Sequence, residues 1–385
     1  MPSDMPAAVH DRGALGVLDL AGTILTSLRG DVPPGFAAQL FARAAPEDIA
    51  KYEPREIALL AEEAWLFLQE RKAGAPRIRV ESRDGPVGAE AVRSVSIIEI
   101  VNDDMPFLLD SVMGELNERG VEIRLVAHPV LTVERDGGGC LIGFRGDAPA
   151  TGGALRESFI HIHIERIADE ARRAAIAEGL AQSLADVRLC VADWRPMLAR
   201  LGEAIAEIKD NPPPLPVDEI AEAVQFLEWL IANNFTMLGM REYAISEHED
   251  DIRPQHSTGL GILRAQELRV LRRGAEIVSI SPDIRAFLKE PRMLIITKAN
   301  VRSRVHRRVH MDYVGVKRFN ADGALIGELR IVGLFTSTAY TRSTRSIPYL
   351  RRKVHSVLAR AGLDPDGHSG KALANVLDSY PRDEL

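Results

Sequence analysis

Cysteine is almost missing from this sequence: Cys140 and Cys190 are the two in 385 residues, and neither stands in a metal-binding or redox spacing. A disulfide-held scaffold is excluded by that count. No apolar run approaches the ~18 residues of a membrane span, and the N-terminus lacks a basic region followed by an apolar stretch, so a cytoplasmic protein is expected. Aromatic residues make up 5% of the chain, which leaves few platforms on which nucleic-acid bases could stack. There is no Gly-x-Gly-x-x-Gly after a strand, no Walker loop, no Gly-x-Ser-x-Gly elbow and no His-Glu-x-x-His. Gly137, Gly138 and Gly139 lie in a hairpin and not at a strand-to-helix junction, so they do not cradle a phosphate. No catalytic, cofactor-binding or metal-ligating residue is therefore assigned, and the chain is expected to catalyse nothing by itself.

What is present is ample material for a core. Hydrophobic residues reach 46%, charged residues 27%, and the net charge is −7, while the length predicts two or three domains at roughly 100–200 residues each. The stretch from Arg93 to Val133 organises the rest, because its apolar period changes twice. Val95, Ile97, Ile98, Ile100 and Val101 read as a buried strand. Asn102, Asp103 and Asp104 offer helix-capping side chains, with Pro106 in the first turn, before Leu109, Val112, Met113 and Leu116 recur at helical spacing up to Gly120. Val121, Ile123 and Leu125 then alternate, and Pro129 interrupts before Val130, Leu131 and Val133. Beyond a turn at Asp136 to Gly139, Ile160, Ile162 and Ile164 predict another strand, residues 169–185 a helix, and Val187, Leu189 and Val191 a last strand. The expected fold class is α+β: a four-stranded antiparallel βαββαβ sheet with both helices on one face.

Helical signals fill the first 77 residues, and Arg77 to Glu81 adds a possible strand of unfixed pairing. A helix from Trp194 to Ile208 runs into the proline cluster at 211–216, whose density favours a semi-rigid spacer and marks a domain boundary. Further on, the pattern predicts a helix at 220–231, strands at 235–245, 260–264, 277–280 and 293–298, and a helix at 282–289. A hairpin of 313–319 with 325–335, a helix capped by Ser346 and a short one at 371–380 complete it. The expected domains are an N-terminal helical region (1–92), the sheet domain (93–192), a helix and linker (193–216), a second α+β sensor-like domain of PAS or GAF type (217–345) and C-terminal helices (346–385). The final tetrapeptide imitates an endoplasmic-reticulum retention signal, which without a signal peptide reads better as an arbitrary end.

Three sets of residues are candidate sites. Asn102, Asp103, Asp104 and Phe107 form a loop at a helix start, either an effector or interface site or merely caps; two carboxylates there favour capping over anion binding. His161 and His163 share one side of a strand, a spacing open to a metal but also common on a sheet's outer face. Between Arg269 and Lys353 there are 19 Lys and Arg against 6 Asp and Glu. Within that tract an extended backbone would align Arg302, Arg304, His306, Arg308 and His310 on one face. An acidic surface of the same protein or an anionic effector is the expected complement, with nucleic acid disfavoured, and a solvated edge strand whose Lys and Arg discourage strand addition is the alternative.

The segment Asn102 to Leu109 resembles the helix start of an ACT domain, a module that binds amino acids or pairs with a second copy in many metabolic enzymes, except that Phe107 replaces the usual glycine. That departure implies packing at this position in place of ligand approach. More broadly, Ile97 to Val112, Asn234 to Tyr243, Gly333 to Tyr340 and Asp378 to Leu385 resemble the N-terminal part of the large bacterial NAD-specific glutamate dehydrogenases. The resemblance implies ACT-like and PAS-type regulatory modules, other domains and subunits of the same enzyme as partners, a homo-oligomer, and a possible small-molecule effector. It also implies NAD-dependent oxidative deamination of glutamate to 2-oxoglutarate in a domain further along, so that NAD belongs to the parent and no cofactor to this chain. The alternative is a free-standing ACT-type sensor of an amino acid or anion.

Overall fold

The computed structural model describes residues 7–82, 95–245, 251–268, 270, 278, 279, 290 and 292–380. It divides into two compact units, residues 1–187 with 304–308, and residues 188–303 with 309–385.

The first unit begins with helices α1 (Ala7–Leu28), α2 (Phe36–Phe41), α3 (Pro46–Ile49) and α4 (Pro54–Leu68). At the start of α4, Glu53 and Glu56 form a reciprocal capping box with Pro54 in the first turn, a strong local start signal. Ile57, Leu60, Ala61, Ala64 and Leu68 then fall on one buried stripe. Strands β1 (Arg77–Ser82) and β2 (Val95–Asp103), helix α5 (Leu108–Glu118), strands β3 (Ile123–Ala127), β4 (Val130–Arg135), β5 (Leu141–Gly146) and β6 (Leu155–Glu165), and helix α6 (Glu170–Ala192) follow. The sheet order is β1-β2-β6-β4-β5, with β3 also on β6. Gly120, at φ 64, ends α5 in the left-handed conformation expected of it.

Because side chains alternate across a strand, the register sorts β2 and β6 into two faces. Ile98 opposes Ile162 and Ile100 opposes Ile160, whereas Ile97 opposes His163, Glu99 opposes His161 and Val101 opposes Phe159. Ile97, Val101 and Phe159 of the second set share one hydrophobic cluster with the helices α1 to α4, including Phe36, Leu40, Leu60 and Phe67. The N-terminal helices therefore cover that face of the sheet. Ile98, Ile100, Ile160 and Ile162 are buried on the other face, each contributing about 1.5–3 kcal/mol of transfer free energy.

The strand expected at Val187, Leu189 and Val191 is instead the last part of α6. Burial recurs at Leu180, Leu184, Val187 and Cys190, a helical spacing that outweighs the period-two reading of three apolar residues. The sheet edge expected from that strand is supplied by β1, antiparallel to β2 with Arg77 opposite Val101. Strand β5 was not anticipated, because Gly143 and Gly146 dilute its pattern and Ile142 is 66% exposed.

The second unit contains α7 (Trp194–Asp210), α8 (Val217–Trp229), β7 (Phe235–Ile245), β8 (Asp251–Pro254), β9 (Leu260–Gly261), β10 (Val278–Ser279), β11 (Leu294–Arg302), β12 (His310–Phe319), β13 (Leu325–Phe335), α9 (Ser337–Thr341), α10 (Leu350–Arg360) and α11 (His368–Ser379). Its sheet runs β10-β8-β7-β13-β12-β11, with β9 on β7. The hairpin read from Asn320 to Gly323 is present, with Val314 opposite Ile331 and Val316 opposite Leu329. Met197, Leu201 and Ile205 of α7 share one core with Phe226 and Leu227 of α8 and with Leu329 and Ile331 of β13. The proline cluster at 211–216 is thus a turn inside this unit, and the division between the units falls at Val187, not at the linker.

Three local expectations change. The run 260–264 is a two-residue strand followed by a tight turn, since Gly261 adopts φ 57 and ψ −140. Ser346 does not cap α10; it bonds back to the Ser343 carbonyl, and Tyr349 precedes the helix. The helix expected at 282–289, and the ends of the 277–280 strand, lie outside the described residues.

Candidate functional sites

Asn102 and Asp103 close β2, and none of the three polar residues caps α5. Asn102 is buried and donates to the Asp103 carbonyl at 3.2 Å. Asp103 accepts from Arg71 at 2.6 Å, and Asp104 lies 3.5 Å from Arg156. Strand pairing through Asp103 opposite Glu157 carries these carboxylates away from the helix axis, so ion pairing replaces the capping role.

Beneath Asp103 lies a charge cluster that the sequence reading missed. Glu157, fully buried, accepts from Arg71 Nε at 2.9 Å and from Arg135 Nε and Nη2 at 2.7 Å each. Arg71 and Arg135 further donate to the carbonyls of Ala75, Gly139 and Leu68. The available signal was a glutamate at an inward position of an apolar strand, which demands a buried cation.

Phe107 precedes α5 at φ 70, and His306 has φ 65, both rare for non-glycine residues. The two rings lie against each other, tilted by 40°, with centroids 5.1 Å apart. The His306 amide donates to Ser111 Oγ at 3.0 Å, and its Nδ1 lies 2.9 Å from Asp110 Oδ2. Arg308 donates to Ser183 Oγ at 2.8 Å and to Glu115, and it passes 3.7 Å from Glu118. Arg304 is 3.8 Å from Asp186, whose carboxyl is pushed up by burial against the pull of Arg304 and Arg308. This places Arg304, His306 and Arg308 with the candidate loop residue Phe107 in the first unit.

Arg302 and His310 stand apart, facing each other at the ends of β11 and β12, where His310 Nδ1 is 3.1 Å from the Ala299 carbonyl. The single extended basic face is not formed, because the backbone turns over at His306 between the two strands. Replacing Arg308 with alanine is expected to cost about 2 kcal/mol. Glu115 is buried, yet Arg119 at 2.7 Å would still neutralise it, which moderates the penalty. Urea unfolding with an unchanged slope would measure this.

His161 and His163 are both at or below 1% exposure, on the face covered by the N-terminal helices, and so are not outer-face polar residues. Among the described residues no group of three or more His, Cys, Asp or Glu could hold a metal ion. Near them, a cleft of about 760 Å³ opens with Arg43, Lys51, Tyr52, Arg124 and His128 on its walls.

Residues 36–180 match the model of the glutamate dehydrogenase ACT1 domain, and residues 347–385 match glutamate dehydrogenase helical motif 1. Over 354 residues the chain is 34% identical to an NAD-specific glutamate dehydrogenase of Halomonas elongata, covering 90% of this chain and 22% of that protein. The Pseudomonas aeruginosa enzyme of the same name is 33% identical over 91% of the chain, again 22% of its own length. This chain is similar to one part of the NAD-specific glutamate dehydrogenases. A Mycobacterium tuberculosis member is 27% identical over 82% of the chain and 18% of its own length. The chain thus spans about a fifth of the relatives it matches.

The glutamate dehydrogenase ACT1 match starts at Phe36, the first residue of α2. Helices α2 to α4, read from sequence as a separate helical region, thus fall within it, together with the sheet face they cover. Among the described residues no helix is long and apolar enough to cross a membrane.

Proposed function

We propose that this chain is the regulatory and assembly-forming N-terminal segment of an NAD-dependent glutamate dehydrogenase, whose parent reaction converts L-glutamate to 2-oxoglutarate in a domain outside these residues. The observation that carries the reading is the combination of an ACT1 match with similarity over nine-tenths of this chain but only 22% of its relatives. A ferredoxin-like arrangement of the first sheet is supported by the strand order β1-β2-β6-β4-β5, in which β1 stands in for the missing last strand. A PAS- or GAF-like character of the second unit, resting on its antiparallel sheet and flanking helices, completes the proposal.

The seat at which an ACT ligand would meet the helix start is filled from within. Phe107 occupies the backbone approach, and the His306 ring lies against it with the Asp110 carboxylate already engaged. Regulation in this reading runs through contacts of the basic loop and of neighbouring modules or subunits, and an amino acid at this seat would have to displace protein groups. Two measurements test it. The purified chain should not reduce NAD in the presence of glutamate, while the product of the full reading frame should. Titration of the chain with a panel of amino acids in a calorimeter should give no saturable heat, and a clear isotherm would favour a free-standing sensor.

A further inference from the structure

The two buried histidines belong to a continuous chain of polar atoms across the covered sheet face. The Tyr52 hydroxyl lies 2.6 Å from His163 Nδ1, and His163 Nε2 lies 2.9 Å from His161 Nε2. His161 Nδ1 faces Glu99 Oε1 at 3.3 Å, and Arg79 Nε donates to Glu99 Oε2 at 2.7 Å. Tyr52 is 7% exposed and Glu99 2%, and the Phe41 ring stands edge-on to His161 with centroids 5.3 Å apart.

The chemistry of the ends fixes the direction of the protons. A carboxylate paired with a guanidinium can only accept, so His161 Nδ1 carries hydrogen and its Nε2 accepts. His163 Nε2 must then donate, and its Nδ1 accepts from the Tyr52 hydroxyl. The Tyr52–His163 and His163–His161 contacts each pair one donor with one acceptor, while His161 Nδ1 faces the Glu99 carboxylate at 3.3 Å as a charge contact outside hydrogen-bond geometry, and both imidazoles are neutral. One further proton can be housed: His163 Nδ1 takes it and becomes a donor to the Tyr52 oxygen, whose own hydrogen turns toward the cleft that Tyr52 lines. A second would set two N–H groups against each other across the 2.9 Å gap between the rings.

We propose that Tyr52, His163, His161 and Glu99 form a relay that admits one proton and no more, so that acidification below about pH 6 weakens the seating of the N-terminal helices on the first sheet. The sign follows from proton counting. Two histidines in the unfolded chain, each titrating near 6.5, hold about two protons at pH 5, against one in the folded relay. The unfolded state binds the excess, so the folding constant falls about tenfold for each pH unit of acidification.

Other groups around the relay do not supply this window. Asp48, Glu56 and Arg124 face Tyr52, and Glu63, Arg79 and Glu81 lie at the His161 end. Burial, aided by Glu56 and Asp48, pushes the Tyr52 hydroxyl up to about 12, so it stays protonated. Burial alone would raise Glu99, but His161 and Arg79 outweigh it and hold the carboxyl below its usual range. The stability that Glu99 contributes is therefore present above about pH 4 and lost only below it. His128, pushed down by burial with Asp104 opposing and Arg43 assisting, adds acid sensitivity of its own, which is common to every variant below.

Histidine-selective ring nitrogen spectra of the full chain between pH 8 and 5, assigned with H161Q and H163Q, provide the test. The two rings are expected to shift together with one midpoint and a total of one proton. Separate single-site curves, two protons, or none would each overturn the relay. The double variant H161Q/H163Q should lose about tenfold per pH unit of the wild-type acid dependence in thermal or urea unfolding; an unchanged slope would contradict the proposal. Should that variant not fold, Glu99→Gln keeps the shape and removes the charge, and it should move the shared midpoint down by about one pH unit or more. An unmoved midpoint removes Glu99 from the relay.

Discussion

Replacing Glu157 with glutamine is expected to destabilise the first unit by about 3–5 kcal/mol and to lower its unfolding midpoint by roughly 10 °C. The carboxylate has no exposed surface and serves two guanidiniums that are themselves at 1% and 3% exposure. Glutamine keeps the volume but presents an amide where Arg71 or Arg135 points a donor. Arg71 retains Asp103 at 2.6 Å, whereas Arg135 keeps only the carbonyls of Leu68 and Gly139. The larger part of the loss thus arises at Arg135. Replacing Asp103 with asparagine should cost much less, because that carboxylate is 35% exposed and solvent takes over part of its role. Calorimetric melting of both variants checks the order. Equal effects would mean that the buried carboxylate is not the centre of the cluster.

Gly261→Ala is expected to lose about 3 kcal/mol or more from the second unit, by a different cause. At φ 57 and ψ −140 the backbone is in a region that only glycine enters without strain. A Cβ added there would stand 2.1 Å from the Leu238 carbonyl oxygen, which is fixed in the β7 ladder. The turn cannot simply move aside. The Gly261 amide donates to Asp193 Oδ2 at 2.7 Å, and Arg264 holds the same carboxylate. Side-chain hydrogen bonding to Arg264 outweighs burial and keeps Asp193 ionised below the usual carboxylate range. Relief of the collision therefore strips partners from the buried Asp193 carboxylate. Urea unfolding should show a lower midpoint at an unchanged slope, and a loss below 1 kcal/mol would show that the segment relaxes freely.

Much of this architecture is legible from apolar spacing. The strands at Val95 and Ile160, the helix after Pro106 and the hairpin around Asn320 to Gly323 each carry a local period that agrees with their final surroundings. The misread elements are those whose local pattern is ambiguous or weak. Val187, Leu189 and Val191 fit both periods, and only the continuation from Leu180 and Leu184 decides for helix. Strand β1 has the composition of a solvated segment, since Arg77 and Arg79 alternate with Ile78 and Val80, and its place at the sheet edge depends on the partner 20 residues away. The candidate sites followed the same rule. His161 and His163 were visible as a spaced pair, but the layer that buries them, from Phe41 and Tyr52, is remote in sequence. The basic tract was visible as charge, while its turn at His306 required a positive φ that no residue there advertises.

Strand β1 being taken from ahead of β2 has a consequence for synthesis. Every strand of the first sheet has left the ribosome once Glu165 has emerged, whereas residues 304–308, which contact α5, are made about 140 residues later. At about 5–20 residues per second this interval lasts several seconds, long compared with the folding of a domain of this size. The carboxylates of Asp110, Glu115 and Asp186 are accordingly made well before the basic turn that pairs with them, and a nascent chain halted between those points holds them without Arg304, His306 and Arg308.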